Sequence, residues 1–289
     1  MSSDDERSAA AIERVTANGL RFAYLSEGEG PLVLLLHGFP DTPQTWDAVR
    51  PAVAAAGFRA VTPFTRGYHP TEIPKEEDFG IETLARDALA LIEALGHESA
   101  TIVGHDWGAA AGYSAAAMAP ASIDRLVTSA VPHPAATFGS PRILWAFRHF
   151  LSLSRPGAAD KLRRGNLEHI GVLVRRWSPA WDVPPGELDA VLEAFAEPGC
   201  LEAALGYYRG VRLTLPDSYK RPIEVPTVSF AGLDDVVAPS FYDRARKYFR
   251  GPYEVVRMPG GHFMHREHPE VFIEHLLPRL RGESAGDGD

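Results

Sequence analysis

From Gly19 the chain alternates apolar and polar positions and then becomes continuously apolar from Leu32 to Leu36. That pattern predicts an outer strand, a Gly-Glu-Gly turn and a central strand buried on both faces. "WDAVRPAVAAAG" has helical spacing and a stop at Gly57, "FRAVTPF" reads as another strand, and "IETLARDALALIEALG" is an amphipathic helix closed by Gly96. "ATIVGH" is again strand-like, Ala109 to Ala119 read as a helix of small residues, and "IDRLVTSAVP" gives a further strand. Strand and helix thus alternate at the spacing of a doubly wound, mostly parallel sheet. Near Pro134 the alternation stops. The stretch to Pro222 is helical and aromatic, broken by "SRPG", "SPAWDVPPGE" and "EPG". Strands return at "PTVSFAG" and "YEVVRMPG", with helices at "SFYDRARKYF" and "EVFIEHLLPRL". The expected organisation is an α/β core in two parts, 1–133 and 223–289, interrupted by a helical cap over 134–222, with a disordered acidic tail at the end.

Composition narrows the function classes. The 289 residues are 45% hydrophobic and 23% charged, and no apolar run approaches the ~18 residues of a membrane span. The formal net charge of −9 offers no basic surface for nucleic acid. The amino-terminal stretch has no basic region followed by an apolar one, and the single cysteine, Cys200, excludes an intrachain disulfide. The expectation is a cytoplasmic protein with no membrane or nucleic-acid partner, in which Cys200 is an apolar filler; a homodimer stays open.

The chemistry concentrates at "GHDWG". Gly104, Asp106 and Gly108 form a Gly-x-nucleophile-x-Gly arrangement, in which the nucleophile occupies a strained turn between strand and helix and only small neighbours let the chain pass so closely. The competing reading makes Asp106 a helix cap. An aspartate at this position attacks an electrophilic sp³ carbon, leaving an alkyl ester that water must hydrolyse. That second step needs a base, an acid to orient it and amides to hold an oxyanion. His262, between the glycines and polar residues of "PGGHFMHREHPE", is the expected base; His265 and His268 read as surface histidines. "FAGLDDVVAP" supplies the acid, Asp235, with Asp234 as the alternative. The backbone N–H groups of Phe39, in "HGFPDTPQTW", and of Trp107 are the expected oxyanion donors, with His37 and Gly38 shaping the turn.

With these residues in place the sequence resembles the epoxide hydrolases of the α/β-hydrolase fold. The resemblance rests on "HGFP", on "TRGYHPTEIP" as a variant of an Arg-Gly-Tyr-Gly-x-Ser loop, on "GHDWG" and on "GGHFMHREHPE", and runs from about Leu20 to Leu280. It implies two ring-opening proton donors in the cap. Tyr208 in "ALGYYRG" matches one, whereas Tyr207 would point elsewhere on the helix. The other position, counted back from Pro156, holds His149 where most of the family has tyrosine. Trp177, Trp181, Phe195 and Leu205 are candidates to line an apolar pocket.

The resemblance implies conversion of a small apolar epoxide and water to a vicinal diol, with no metal or organic cofactor. Related haloalkane dehalogenases use the same Asp, Asp and His machinery, and they remain the main alternative. They commonly hold the halide with an asparagine where this chain has Phe39, and with a tryptophan such as Trp107. A catalytically silent ligand-binding protein is the remote alternative.

Overall fold

The computed structural model describes residues 11–283 apart from 138, 139, 141–144, 146, 147 and 213. The expected acidic tail lies outside the described residues. Eight strands, β1 (Glu13–Ala17), β2 (Leu20–Glu27), β3 (Leu32–Leu36), β4 (Arg59–Pro63), β5 (Ala100–His105), β6 (Ile123–Ser129), β7 (Thr227–Gly232) and β8 (Tyr253–Met258), form one sheet. Their order is β1-β2-β4-β3-β5-β6-β7-β8. Strands β4, β3, β5, β6, β7 and β8 run parallel, and β1 and β2 are antiparallel additions at one edge.

The sequence pattern missed β1. Its residues are mostly exposed, so it carries no apolar alternation. The usable signal was Asn18-Gly19, which takes φ of 43° and 76° in the two-residue turn that pairs Ala17 with Leu20.

β3 shows why its sequence is continuously apolar. Leu32, Leu34 and Leu36 enter the core layer shared with α2 (Ile81–Ala94) and α3 (Trp107–Met118). Val33 and Leu35 point to the opposite layer, shared with α1 (Val49–Ala55) and a closing helix over Pro269–Leu280. Burial of each such side chain contributes about 1.5–3 kcal/mol. α3 is buried from Gly108 to Ala117, and its small residues let it lie close against the sheet. It begins at Trp107, two residues before the expected start, because the backbone reverses sharply at Asp106.

Between β6 and β7 the described residues form helices: α4 (Pro134–Thr137), α5 (Arg148–Leu153), α6 (Ala158–Arg164), α7 (Glu168–Trp177), α8 (Asp189–Ala196), α9 (Cys200–Arg209) and α10 (Asp217–Lys220). α11 (Ser240–Ala245), α12 (Met264–Glu267) and α13 (Pro269–Leu280) follow. The inner faces of α6 to α9 share an apolar cluster with Phe39, Phe64, Tyr68 and Ala111 of the sheet domain. Cys200 is wholly buried in that cluster.

Strand order sets where a site can form. The chain leaves β3 for β4 on one side and returns to β5 on the other, so a crevice opens beyond the carboxyl ends of β3 and β5. The registers Leu36↔Gly104, Gly104↔Thr128 and His105↔Ser129 bring those ends level. No described helix is long and apolar enough to cross a membrane.

Candidate active site

Asp106 stands at the crevice with φ 52° and ψ −115°, a conformation that side chains with a Cβ rarely adopt. The glycines around it are required by contact. A Cβ on Gly104 would strike the backbone of Gly108, and one on Gly108 would strike the Leu36 carbonyl. A Cβ on Gly38 would overlap the Asp106 side chain itself. The capping role fails, since the Asp106 side chain makes no hydrogen bond to the helix it precedes.

The two carboxylate oxygens instead have separate partners. Oδ1 accepts from the Phe39 backbone N–H at 2.9 Å, and Oδ2 lies 3.5 Å from His262 Nε2. Trp107 is the first helical residue, so its N–H has no helical acceptor. On the far side of the imidazole, Nδ1 is 3.3 Å from Asp235 Oδ2. The Asp235 side chain is wholly buried and its Oδ1 accepts from Val237 N–H at 3.1 Å. Asp234 is exposed. Separations of this length are common in resting enzymes and shorten when substrate binds.

Charge is arranged to match. Burial pushes the Asp106 carboxyl up, but His262 more than offsets it and holds the group below its ordinary value. Burial disfavours the His262 imidazolium, yet Asp235 and Asp106 together raise it to about 10. His37 goes the other way, lowered by burial to about 4. Its Nε2 accepts from the Thr65 N–H at 3.1 Å, so Nδ1 carries the proton and donates to the Gly38 carbonyl at 2.9 Å. A neutral imidazole therefore braces the turn that presents the Phe39 amide.

The ceiling is aromatic. Tyr208 packs edge-on against Phe39 and Trp107, with centroids 5.2 and 5.3 Å apart, and against His149 at 5.8 Å. Burial and then the Asp106 charge push its phenol well up, so it stays protonated and can donate. Tyr207 turns off, its hydroxyl donating to the Arg66 carbonyl at 2.8 Å. His149 is 8% exposed and rests on Trp177, 4.7 Å between centroids. Phe195 stacks on Phe39 at 5.6 Å, Trp177 lies 5.2 Å from the His262 ring, and Trp181 and Leu205 belong to the same apolar cluster.

Sequence reasoning missed how His262 is held. The His262 N–H donates to the Trp177 carbonyl at 3.1 Å, and the Phe263 N–H donates to Ser178 Oγ at 3.1 Å. Ser178 Oγ donates in turn to Glu267 at 2.6 Å, and Glu267 also accepts from the Gly261 N–H. The end of α7 is thus fastened to the loop that carries His262. Ser178→Ala leaves a buried amide without its acceptor, at a cost of about 2 kcal/mol. A fall of roughly 4 °C in the melting midpoint is expected by calorimetry; an unchanged midpoint would show the contact to be idle.

His265 corrects the sequence reading. It is 0% exposed, packed against Trp46 and His105, whereas His268 is exposed. α12 turns it inward beneath the loop after β3, a long-range contact that the polar neighbours Arg266 and Glu267 conceal.

Residues 31–170 match the alpha/beta hydrolase fold family. Over 94% of the chain and 98% of the relative, the sequence is 32% identical to Epoxide hydrolase A of Mycobacterium tuberculosis. It is 29% identical to Epoxide hydrolase 3 of Mus musculus, covering 94% of this chain and 77% of that one. The fold superposes on the crystal structure of an epoxide hydrolase from Vigna radiata with a TM-score of 0.79, at 26% identity and covering 94% and 98% of the two chains. The chain belongs to the epoxide hydrolase family of α/β-hydrolase-fold enzymes.

Proposed function

We propose that this protein hydrolyses an apolar epoxide to a vicinal diol through an ester on Asp106. The observation that carries the reading is the division of labour at one carboxylate: Oδ1 on the Phe39 amide, and Oδ2 beside a histidine backed by Asp235. Asp106 attacks a ring carbon and the carbon–oxygen bond opposite breaks. Tyr208, assisted by His149, gives its proton to the departing oxygen. Water then adds to the ester carbonyl as His262 takes its proton, and the Phe39 and Trp107 amides hold the oxyanion until it collapses to diol and free carboxylate. The proton His262 carries at rest first restores the phenol, the proton taken from water replaces it, and the hydroxyl proton of the intermediate passes to the departing diol oxygen, so the cycle closes. The surrounding aromatic cluster favours an apolar substrate.

A dehalogenase is the weaker reading. Phe39 has no side-chain N–H and packs its ring between Phe195 and Tyr208, so half of a halide cradle is replaced by hydrocarbon. Incubation with styrene oxide and with 1-bromobutane separates the two: diol is expected from the first and no bromide from the second. Bromide release without diol would reverse the assignment. Tyr208→Phe is expected to slow ester formation by ~10²-fold and leave ester hydrolysis unchanged, as read by rapid quench; equal alkylation rates would remove Tyr208 from the ring-opening step.

The electrostatics imply a pH response. At rest His262, raised to about 10, is protonated at neutral pH and balances Asp106. Esterification removes the Asp106 charge, one of the two supports of the imidazolium, so the folded pKa falls and a neutral base appears when it is needed. Ester breakdown is therefore expected to rise with pH and level off well below pH 10, followed by single-turnover quench. A midpoint that stays at 10 would contradict this release.

A further inference from the structure

Thr65 to Tyr68, in the loop after β4, open the "TRGYHPTEIP" motif and take no part in the proposed reaction. Arg66 makes a bidentate pair with Asp87 of α2: Nε donates to Oδ2 at 2.6 Å and Nη2 to Oδ1 at 2.7 Å. Both side chains are buried, 7% and 6% exposed. Asn18, in the turn between β1 and β2, adds a third donor to Asp87, reaching Oδ1 at 2.6 Å. A buried ion pair often stabilises a fold no more than hydrocarbon of the same size would. What this one holds in place is a single short turn.

On one side that turn meets the peptide whose N–H, that of Phe39, donates to Asp106 Oδ1. The carbonyl of the same peptide belongs to Gly38. It accepts from His37 Nδ1 at 2.9 Å and from the Tyr68 hydroxyl at 3.4 Å. The other ring nitrogen of His37 accepts from the Thr65 N–H at 3.1 Å. Two residues of the turn therefore fix the tilt of this peptide, Tyr68 directly and Thr65 through His37. A carbonyl that accepts hydrogen bonds also makes the N–H of its own peptide a better donor.

On its other side the turn meets α9. The Arg66 carbonyl accepts from the hydroxyl of Tyr207, the residue before Tyr208, at 2.8 Å. Gly67 permits the approach, since a Cβ there would come within 2.5 Å of the Ala203 Cβ. Ala203 and Tyr207 are four residues apart and share a face of α9, so these contacts set the rotation of the helix about its axis. That rotation decides where Tyr208 points, because successive side chains leave a helix roughly 100° apart.

We propose that Arg66 and Asp87 form a clamp that positions, through this one turn, both the proton donor of ring opening and an amide that holds the oxyanion of ester hydrolysis. Tyr207 is its link to α9. The proposal rests on Tyr208 as the proton donor and on Phe39 as an oxyanion donor. Arg66, Asp87 and Tyr207 act through other residues, so they are positioning residues rather than catalytic ones. Their loss lowers rates without weakening the binding of substrate.

Rapid quench with styrene oxide separates the two chemical steps and tests the clamp. Tyr207→Phe removes one hydroxyl and keeps the ring. Ester formation should slow by roughly tenfold, while ester hydrolysis keeps its rate and the substrate dissociation constant, read from the concentration dependence of ester formation, stays within about twofold. Arg66→Met combined with Asp87→Leu replaces the pair by hydrocarbon, leaves no charge buried and should keep the melting midpoint within a few degrees. In that double variant both steps should slow by roughly tenfold or more per folded enzyme. Wild-type rates in the folded double variant, whatever its midpoint, would reduce the pair to a structural one and overturn the clamp. Tyr208→Phe measured alongside keeps the two failures apart. Slow ester formation there, with a wild-type rate in Tyr207→Phe, would overturn the link to α9 alone; wild-type rates in both would overturn the role of Tyr208 as well.

Discussion

His262→Gln is expected to trap the enzyme after one chemical event. Glutamine can still pair with Asp235 but cannot remove a proton from water, so Asp106 would be alkylated and then wait. Intact-protein mass spectrometry should show one equivalent of substrate added within a single turnover, mapped to the peptide bearing Asp106. Steady-state turnover should drop by ~10⁴-fold, the upper range for loss of general-base catalysis. In ¹⁸O water the wild type should acquire label in the Asp106 carboxylate, because the attacking water oxygen ends there. A variant that returns promptly to free enzyme would dismiss His262 as the base.

The second large effect separates catalysis from stability at one residue. Asp106→Ala and Asp106→Gly both delete the proposed nucleophile, and each should lose at least ~10⁴-fold of activity. They lose the same carboxylate, so the difference between them reports the backbone. At φ 52° alanine keeps the strain of the native turn, worth about 1–3 kcal/mol, and glycine sheds it. Calorimetry should place Asp106→Gly roughly 2–4 °C above Asp106→Ala, against the usual preference for alanine over glycine. The reverse order would mean that the turn is unstrained.

These residues also show how far the linear sequence reaches. The elbow was legible because much of its constraint is local: Gly104 against Gly108 and a strand-to-helix switch within a few positions. The parallel sheet was legible because strands buried on both faces are apolar without interruption, as in β3. β1 was not, since an edge strand exposed on most of its length has no pattern to detect. Asp234 and Asp235 are neighbours in a polar turn, and only the fold sets one against His262 and the other in solvent. His265 was misread for the same reason, its burial being decided by Trp46 and His105 far away in the chain. Ser178 and Glu267 carry no motif of their own; their meaning exists only once α7 meets the loop of His262.

That meeting governs traffic. With the end of α7 tied to the residues flanking His262, swinging this part of the roof aside would drag His262 with it. A doorway that leaves His262 in place is therefore expected on the other flank, where α5 covers Trp107 through Phe150 and would carry His149 with it. Slower departure of bulky diols after pinning α5 by a crosslink, with the bond-making steps untouched, would be its kinetic mark.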